Sequence, residues 1–261
     1  MPNVKARPAN EVHPQVSALT RSAVLLYGTA VYLFFFSTFV YFIGFVGNFF
    51  VPNSVDVGPV APLAQALAID VLLIALFGVQ HTIMARTGFK LWVTKIIPQP
   101  AERSTFVLFA TSVLALLMVL WKPIPTVLWD VSGSAWGNAL IGISLLGWAI
   151  LLWSTFLINH FDLFGLRQVV LCFQRKDYEP VKFDVPVLYR YVRHPMYVGL
   201  FIALWATPTM TVGHLVLAGS MTIYTLIGIR FEERSLETAL GEDYRKYQRQ
   251  VSMIIPRLPK R

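Results

Sequence analysis

Between Ser22 and Val55 the chain carries no charged residue, and the 24 residues from Ala23 to Val46 within that run are predominantly apolar all round a helix. At about 1.5 Å per residue, such a helix crosses the roughly 30 Å of hydrocarbon in a bilayer. A helix on the surface of a soluble domain keeps one polar face, so this run excludes an ordinary water-soluble domain. Three further runs repeat the pattern, at about Leu63 to Met84, Ser104 to Trp121 and Gly137 to Ile158. Inside hydrocarbon each backbone N–H and C=O must be paired without help from water, which leaves helices for runs of this length. Composition agrees, with 56% hydrophobic and 14% charged residues, where soluble domains carry about a quarter charged.

The breaks between runs set the topology. Pro52 to Pro62, with Asp56 inside it, reads as a loop, and Lys122, Pro123 and Pro125 stop the third run. Gln168 to Tyr191 is a polar, solvent-side connection. Pro195 then opens a helix that reaches only about Ala206, about 18 Å at 1.5 Å per residue and short of a crossing. Thr207 to Thr211 turns it, and Val212 to Ile229 returns it. The charged segment from Arg230 to Arg261 has helical character to about Val251. The expected fold is an all-α integral membrane protein with four transmembrane helices, a C-terminal helical hairpin and a cytoplasmic helical tail. One membrane domain covers residues 1–261: a tail over 1–21, a bundle over 22–229, and a final segment over 230–261 that completes a site. No cleavable signal is expected, because the first apolar run is too long for one.

With this threading every lysine and arginine except Lys122 falls on one side of the membrane. The positive-inside rule then places both termini in the cytoplasm. It also accounts for the formal net charge of +8 without nucleic acid, leaving membrane lipid as the surroundings. The single cysteine, Cys172, excludes an intrachain disulfide and a multi-cysteine metal centre.

The same threading gathers polar groups at one face. His81 ends the second run, Glu102 starts the third, His160 and Asp162 follow the fourth, His194 starts the hairpin, and Glu232 and Glu233 follow its return. Asp70 falls toward the opposite face and reads as structural, the tyrosines and phenylalanines from Tyr32 to Phe45 read as lipid-facing and packing surface, and His13 and His214 are not candidates. In Arg190 to Gly199, His194 is the expected N-cap and Pro195 the first helical residue. Arg193 beside free backbone N–H groups suits an anion. His81, His160, Asp162 and Glu102 are conceivable metal ligands, although no catalytic metal is required by the reaction considered below. A non-enzymatic reading, with His81, His160 and His194 as haem ligands or parts of a transport path, stands beside the enzymatic one.

Arg193-His194-Pro195-Met196-Tyr197-Val198-Gly199, followed by Glu232-Glu233, Leu236, Gly241, Tyr244 and Tyr247, resembles the C-terminal signature of the isoprenylcysteine carboxyl methyltransferase-like family of integral membrane methyltransferases. Gln80-His81, Glu102-Arg103-Ser104, Asn159 to Gln168 and Trp205 to Thr211 resemble its thiol-methylating bacterial branch, the methanethiol S-methyltransferases. The resemblance implies a bacterial inner-membrane enzyme that moves a methyl group from S-adenosylmethionine to methanethiol, giving dimethyl sulfide. The chain lacks a dinucleotide-type glycine fingerprint, in keeping with a donor site of another kind. By resemblance, Arg193, His194 and the helix entry from Pro195 to Tyr197 hold the donor's carboxylate, Glu232 or Glu233 its ammonium, and Tyr244 and Tyr247 wall its adenosine, with Gly199 also in the donor site. His160 is the expected base, oriented by Asp162, with His81 as the competing base. A lipid amine or a prenylcysteine carboxylate is the alternative acceptor.

Overall fold

Ser17 opens the first helix by accepting a hydrogen bond from the Thr20 amide, and α1 runs over Ala18–Gly47 until Asn48 adopts a left-handed conformation. The computed structural model describes residues 17–181 and 183–256; His13 lies outside them. The chain continues through α2 (Leu63–Met84), α3 (Thr87–Val93), α4 (Glu102–Leu120), β1 (Val127–Asp130), α5 (Ala135–Ile158), α6 (His160–Leu163), α7 (Leu166–Phe173), α8 (Pro195–Trp205), β2 (Thr209–Thr211), α9 (Val212–Leu240) and α10 (Glu242–Gln250). Among the described residues, α1, α2, α5, α9 and the helical stretch Gln99–Leu120 are long and apolar enough to cross a membrane. Their outward side chains, including Leu26, Leu72, Val119, Leu146 and Ile223, are exposed, as lipid contact requires. The packed interior joins Phe42 and Phe45, Leu73, Leu117 and Trp121, Trp148, Leu204, and Leu217, contributed by α1, α2, the α4 end, α5, α8 and α9.

The expected hairpin has limbs of unequal length. Its outward limb, α8, has 11 residues and lies against α5 with the two backbones touching. A Cβ on Gly199 would stand 2.6 Å from the Gly147 carbonyl oxygen and 2.6 Å from the Leu151 nitrogen. Gly199 was expected in the donor site; its place is this helix crossing, where the absent side chain permits close approach.

The turn of the hairpin departs from the wholly helical expectation. Beyond Trp205 the chain forms β2, which pairs antiparallel with β1, Val127 opposite Thr211 and Asp130 opposite Thr209. A short helix that ends among apolar side chains leaves carbonyls without partners, and here each of the last four is satisfied. Ile202 O accepts from the Ala206 amide, Ala203 O from Ser144 Oγ at 2.9 Å, Leu204 O from His214 Nε2 at 2.7 Å, and Trp205 O from the Thr207 amide. His214 is thus a structural cap. Asp70, fully buried, likewise accepts from the Lys122 amide at 2.9 Å and ties α2 to the end of α4.

At the other end, α9 continues through the charged residues to Leu240, beyond the expected Ile229, and Gly241 breaks it at φ +62°. α10 then folds back. The strand-like residues after it run beside the start of α8, with the Arg193 amide donating to Ser252 O at 2.8 Å and the His194 amide to Met253 O at 3.2 Å. Part of the connection expected to be loop is the helix α7, whose Val169 packs on Gly28 of α1.

Candidate active site

Pro195 occupies the first turn of α8 and His194 its N-cap position, but the imidazole does not bond the helix's own amides. Its Nε2 lies 3.0 Å from Glu233 Oε1, and Arg193 Nε donates to the same oxygen at 2.7 Å. Arg193 Nη1 also donates to the carbonyls of Gln248 and Val251, so one guanidinium joins α8, α9 and the segment after α10. Gln248 Nε2 bridges Glu233 and Glu237, at 3.4 and 2.8 Å. Tyr197 Oη donates to Glu232 Oε2 at 3.0 Å. The four groups read as the two ends of a ligand site are together, with Glu233 accepting from Arg193 and within hydrogen-bond distance of His194.

An aromatic corner adjoins this clasp. Phe183, Tyr244 and Tyr247 stand with ring centroids 5.8 to 6.2 Å apart. Tyr247 Oη donates to Tyr189 O at 2.6 Å, and burial pushes its hydroxyl up to about 12, which keeps the donor proton in place. Tyr244 is buried, and its Oη has no hydrogen-bond partner among the described residues. A buried hydroxyl without a partner costs about 1–3 kcal/mol, which marks this corner as incomplete without a ligand or water. Tyr189 Oη reaches Ser154 O at 3.4 Å, linking the clasp to the end of α5.

The end of α5 carries the second cluster. Asn159 caps the short α6 through the Asp162 amide, and His160, 2% exposed, is enclosed by rings. Phe156 stacks on it at 4.2 Å, with Phe164 at 4.8 Å, Phe161 at 5.3 Å and Tyr32 at 5.8 Å. Its Nδ1 lies 2.7 Å from Thr155 Oγ1 and its Nε2 2.9 Å from Tyr32 Oη. Burial lowers its pKa below the usual histidine value, so the ring is neutral at pH 7.

Asp162 does not orient it. Residues two apart on a helix point to different faces, and the Asp162 carboxylate is held by Arg167 at 2.9 Å and Tyr178 at 3.2 Å. The orienting partner is Thr155. Tyr32 and Phe35, read as packing or lipid-facing surface, belong to this cluster, Phe35 stacking on Phe164 at 3.9 Å. The motif around Arg103 fixes the same loop: Arg103 Nε donates to Leu163 O at 2.6 Å, and Gly165 leaves no room for a Cβ against Ser104.

His81 stands apart from His160, among Phe106 at 4.9 Å, Phe77 at 5.5 Å and Tyr224 at 6.4 Å. Its Nδ1 is buried without a partner among the described residues. Phe106 belongs to an apolar cluster on which Phe164 packs, so this layer joins the two histidines. Among the described residues no three His, Cys, Asp or Glu side chains are grouped as metal ligands.

A family model described as NnrU protein matches residues 70–257. The chain belongs to the NnrU family. The matched stretch takes in every expected site residue and leaves Tyr32 and Phe35 of α1 outside it. Beyond the NnrU match, the chain is 50% identical over 245 residues to a methanethiol S-methyltransferase of Crocosphaera subtropica, covering 94% of this chain and 96% of that protein. It is 49% identical to one from Mycobacterium tuberculosis, covering 91% and 98%, and 46% identical to methanethiol S-methyltransferase 1 of Bradyrhizobium diazoefficiens, covering 95% and 87%. These relatives bear out the resemblance seen in the sequence motifs. No solved structure matches this NnrU-family chain.

Proposed function

We propose that this NnrU-family chain is an S-adenosylmethionine-dependent methanethiol S-methyltransferase of the bacterial inner membrane, making dimethyl sulfide. The observation that carries the reading is half-identity, nearly end to end, with proteins named for that reaction. The side chains fit the donor. Glu232, steadied by Tyr197, suits its ammonium; Arg193 and His194 suit its carboxylate, taking it in place of Glu233; and Phe183, Tyr247 and the unmatched Tyr244 hydroxyl suit its adenosine. When bound, S-adenosylmethionine supplies a methyl group on a sulfonium.

The chain's own part is to make a nucleophile and keep water away. A thiolate is the reactive form of a thiol. His160, neutral and oriented, accepts the thiol proton at Nε2, as a base held by a third group does. Phe156, Phe161 and Phe164 surround that nitrogen with apolar surface. His81 is the second reading for the base, favoured by its unpartnered Nδ1. The topology belongs to the proposal too: α1, α2, α4 and α5 cross the bilayer, α8 and α9 form the hairpin, and both termini face the cytoplasm.

Membranes holding the chain are expected to release dimethyl sulfide from methanethiol and S-adenosylmethionine. Purified, donor-binding protein that methylates only a lipid amine or a prenylcysteine overturns the acceptor, and a Soret band without methyl transfer overturns the enzyme reading. His160→Ala is expected to lower turnover about 100-fold or more while sparing S-adenosylhomocysteine binding. If His81→Ala does this instead, His81 is the base.

A further inference from the structure

The hydrogen bonds around His160 determine which ring nitrogen carries the proton. Thr155 Oγ1 lies 2.6 Å from Leu152 O, the carbonyl three residues earlier, and 2.7 Å from His160 Nδ1. A hydroxyl has one proton to give. The Leu152 carbonyl can only accept, so the threonine proton goes there and Thr155 Oγ1 accepts from Nδ1–H. The neutral ring therefore keeps its lone pair on Nε2, and the group facing that lone pair is Tyr32 Oη at 2.9 Å, which must donate. The Thr155 hydroxyl is itself fixed on α5, nearly fully buried, whereas Tyr32 reaches across from α1.

We propose that Thr155 and Tyr32 are positioning residues for the His160 base: Thr155 fixes the Nδ1–H tautomer, and Tyr32 Oη occupies the place on Nε2 that the acceptor thiol takes. The inference rests on His160 being the base. The step balances within the cluster: Tyr32 O–H leaves Nε2, the thiol S–H replaces it, and the S–H proton passes to Nε2 as the thiolate forms. The resulting imidazolium keeps its Nδ1–H on Thr155, which therefore stabilises the charged ring more than the neutral one. Tyr32 Oη serves Nε2 in either state, donating to the neutral ring and, with its hydroxyl turned, accepting from the imidazolium.

Two charged groups that meet the loop carrying His160 are held by other partners. Asp162 is held by Arg167 and Tyr178, and Arg103 from α4 is committed to the Leu163 carbonyl. Neither Asp162 nor Arg103 bonds the imidazole, whose two nitrogens are both taken. Their charges are common to all variants below.

The two substitutions therefore act on different quantities: Thr155 on the acid limb and plateau of kcat/KM, Tyr32 on KM for the thiol. In Thr155→Val, of nearly the same shape, the cation loses its acceptor and the limb moves to lower pH; the plateau falls about tenfold as the ring populates the other tautomer. Thr155→Ser restores both. In Tyr32→Phe the imidazolium loses an acceptor, so the limb does not rise, while KM for methanethiol falls because the thiol no longer displaces a hydroxyl. Saturable S-adenosylhomocysteine binding shows that each variant is folded. A limb and plateau unchanged in Thr155→Val, a KM for methanethiol that does not fall in Tyr32→Phe, or a serine that fails to rescue overturns the inference while His160→Ala is inactive. If His160→Ala stays active, it is the assignment of the base that has failed.

Discussion

The two ends of the helical bundle handle buried polar groups in different ways. At the end that carries the β1–β2 ribbon the partners are mostly main chain: Asp70 with the Lys122 amide, His214 with Leu204 O, Trp121 with Val55 O and Ser144 with Ala203 O. At the opposite end side-chain partners stand beside main-chain ones: Arg193 and His194 with Glu233, Tyr197 with Glu232, Tyr32 and Thr155 with His160, Tyr178 and Arg167 with Asp162. A main-chain partner cannot leave without undoing a helix end. A side-chain partner can rotate away and yield its place to a ligand. The first end thus anchors its buried polar groups chiefly on the main chain, and the second adds partners that a ligand can exchange.

The largest test of this contrast is Glu233→Ala. Removing the carboxylate leaves Arg193 without its counter-charge and His194 Nε2 without its partner, both sheltered from water, and breaking such a pair costs about 3–5 kcal/mol. The variant is expected to lose S-adenosylhomocysteine binding in calorimetry and to unfold at lower temperature in detergent. Unchanged donor affinity would dissolve the distinction between the ends. Gly199→Val comes next. Its new side chain meets the α5 backbone, so overpacking costs about 1–3 kcal/mol, read as a lowered melting temperature, with donor affinity retained in the folded fraction. Loss of affinity without loss of stability would return Gly199 to the ligand site.

The smallest effect is expected from His214→Ala, which leaves Leu204 O without its partner and costs about 1 kcal/mol or somewhat more. Turnover per folded molecule is expected to match the parent chain. A large fall in kcat from this variant would show that the ribbon end takes part in the chemistry after all.

Much of this architecture can be read from the residues, and what cannot follows a pattern. Uniformly apolar runs announce α1, α2, α4, α5 and α9 because lipid demands the same character on every exposed side. The ribbon escapes such reading: β1 is four residues long, follows a short irregular stretch with two prolines, and finds its partner some eighty residues later. Gathering His160, His194 and Glu233 at one end follows from counting charges. Pairing His160 with Asp162 was a reading of sequence nearness, which a helical turn defeats. Gly199 sits within a signature motif, and a motif does not say which face of α8 a glycine serves. Tyr32 went unnoticed because a tyrosine in an uncharged span reads as membrane surface, and only the fold shows what its hydroxyl meets.

The segment after α10 that lies along the start of α8 imposes an order of events on biosynthesis. Arg193 is held by the carbonyls of Gln248 and Val251, and the Arg193 and His194 amides by those of Ser252 and Met253. All six apolar helices leave the ribosome before those carbonyls do. The scaffold can therefore be threaded into lipid while the clasp is still open, and residues 248–253 shut it when they follow. Insertion and the acquisition of activity are in that way two separate moments in the life of the protein.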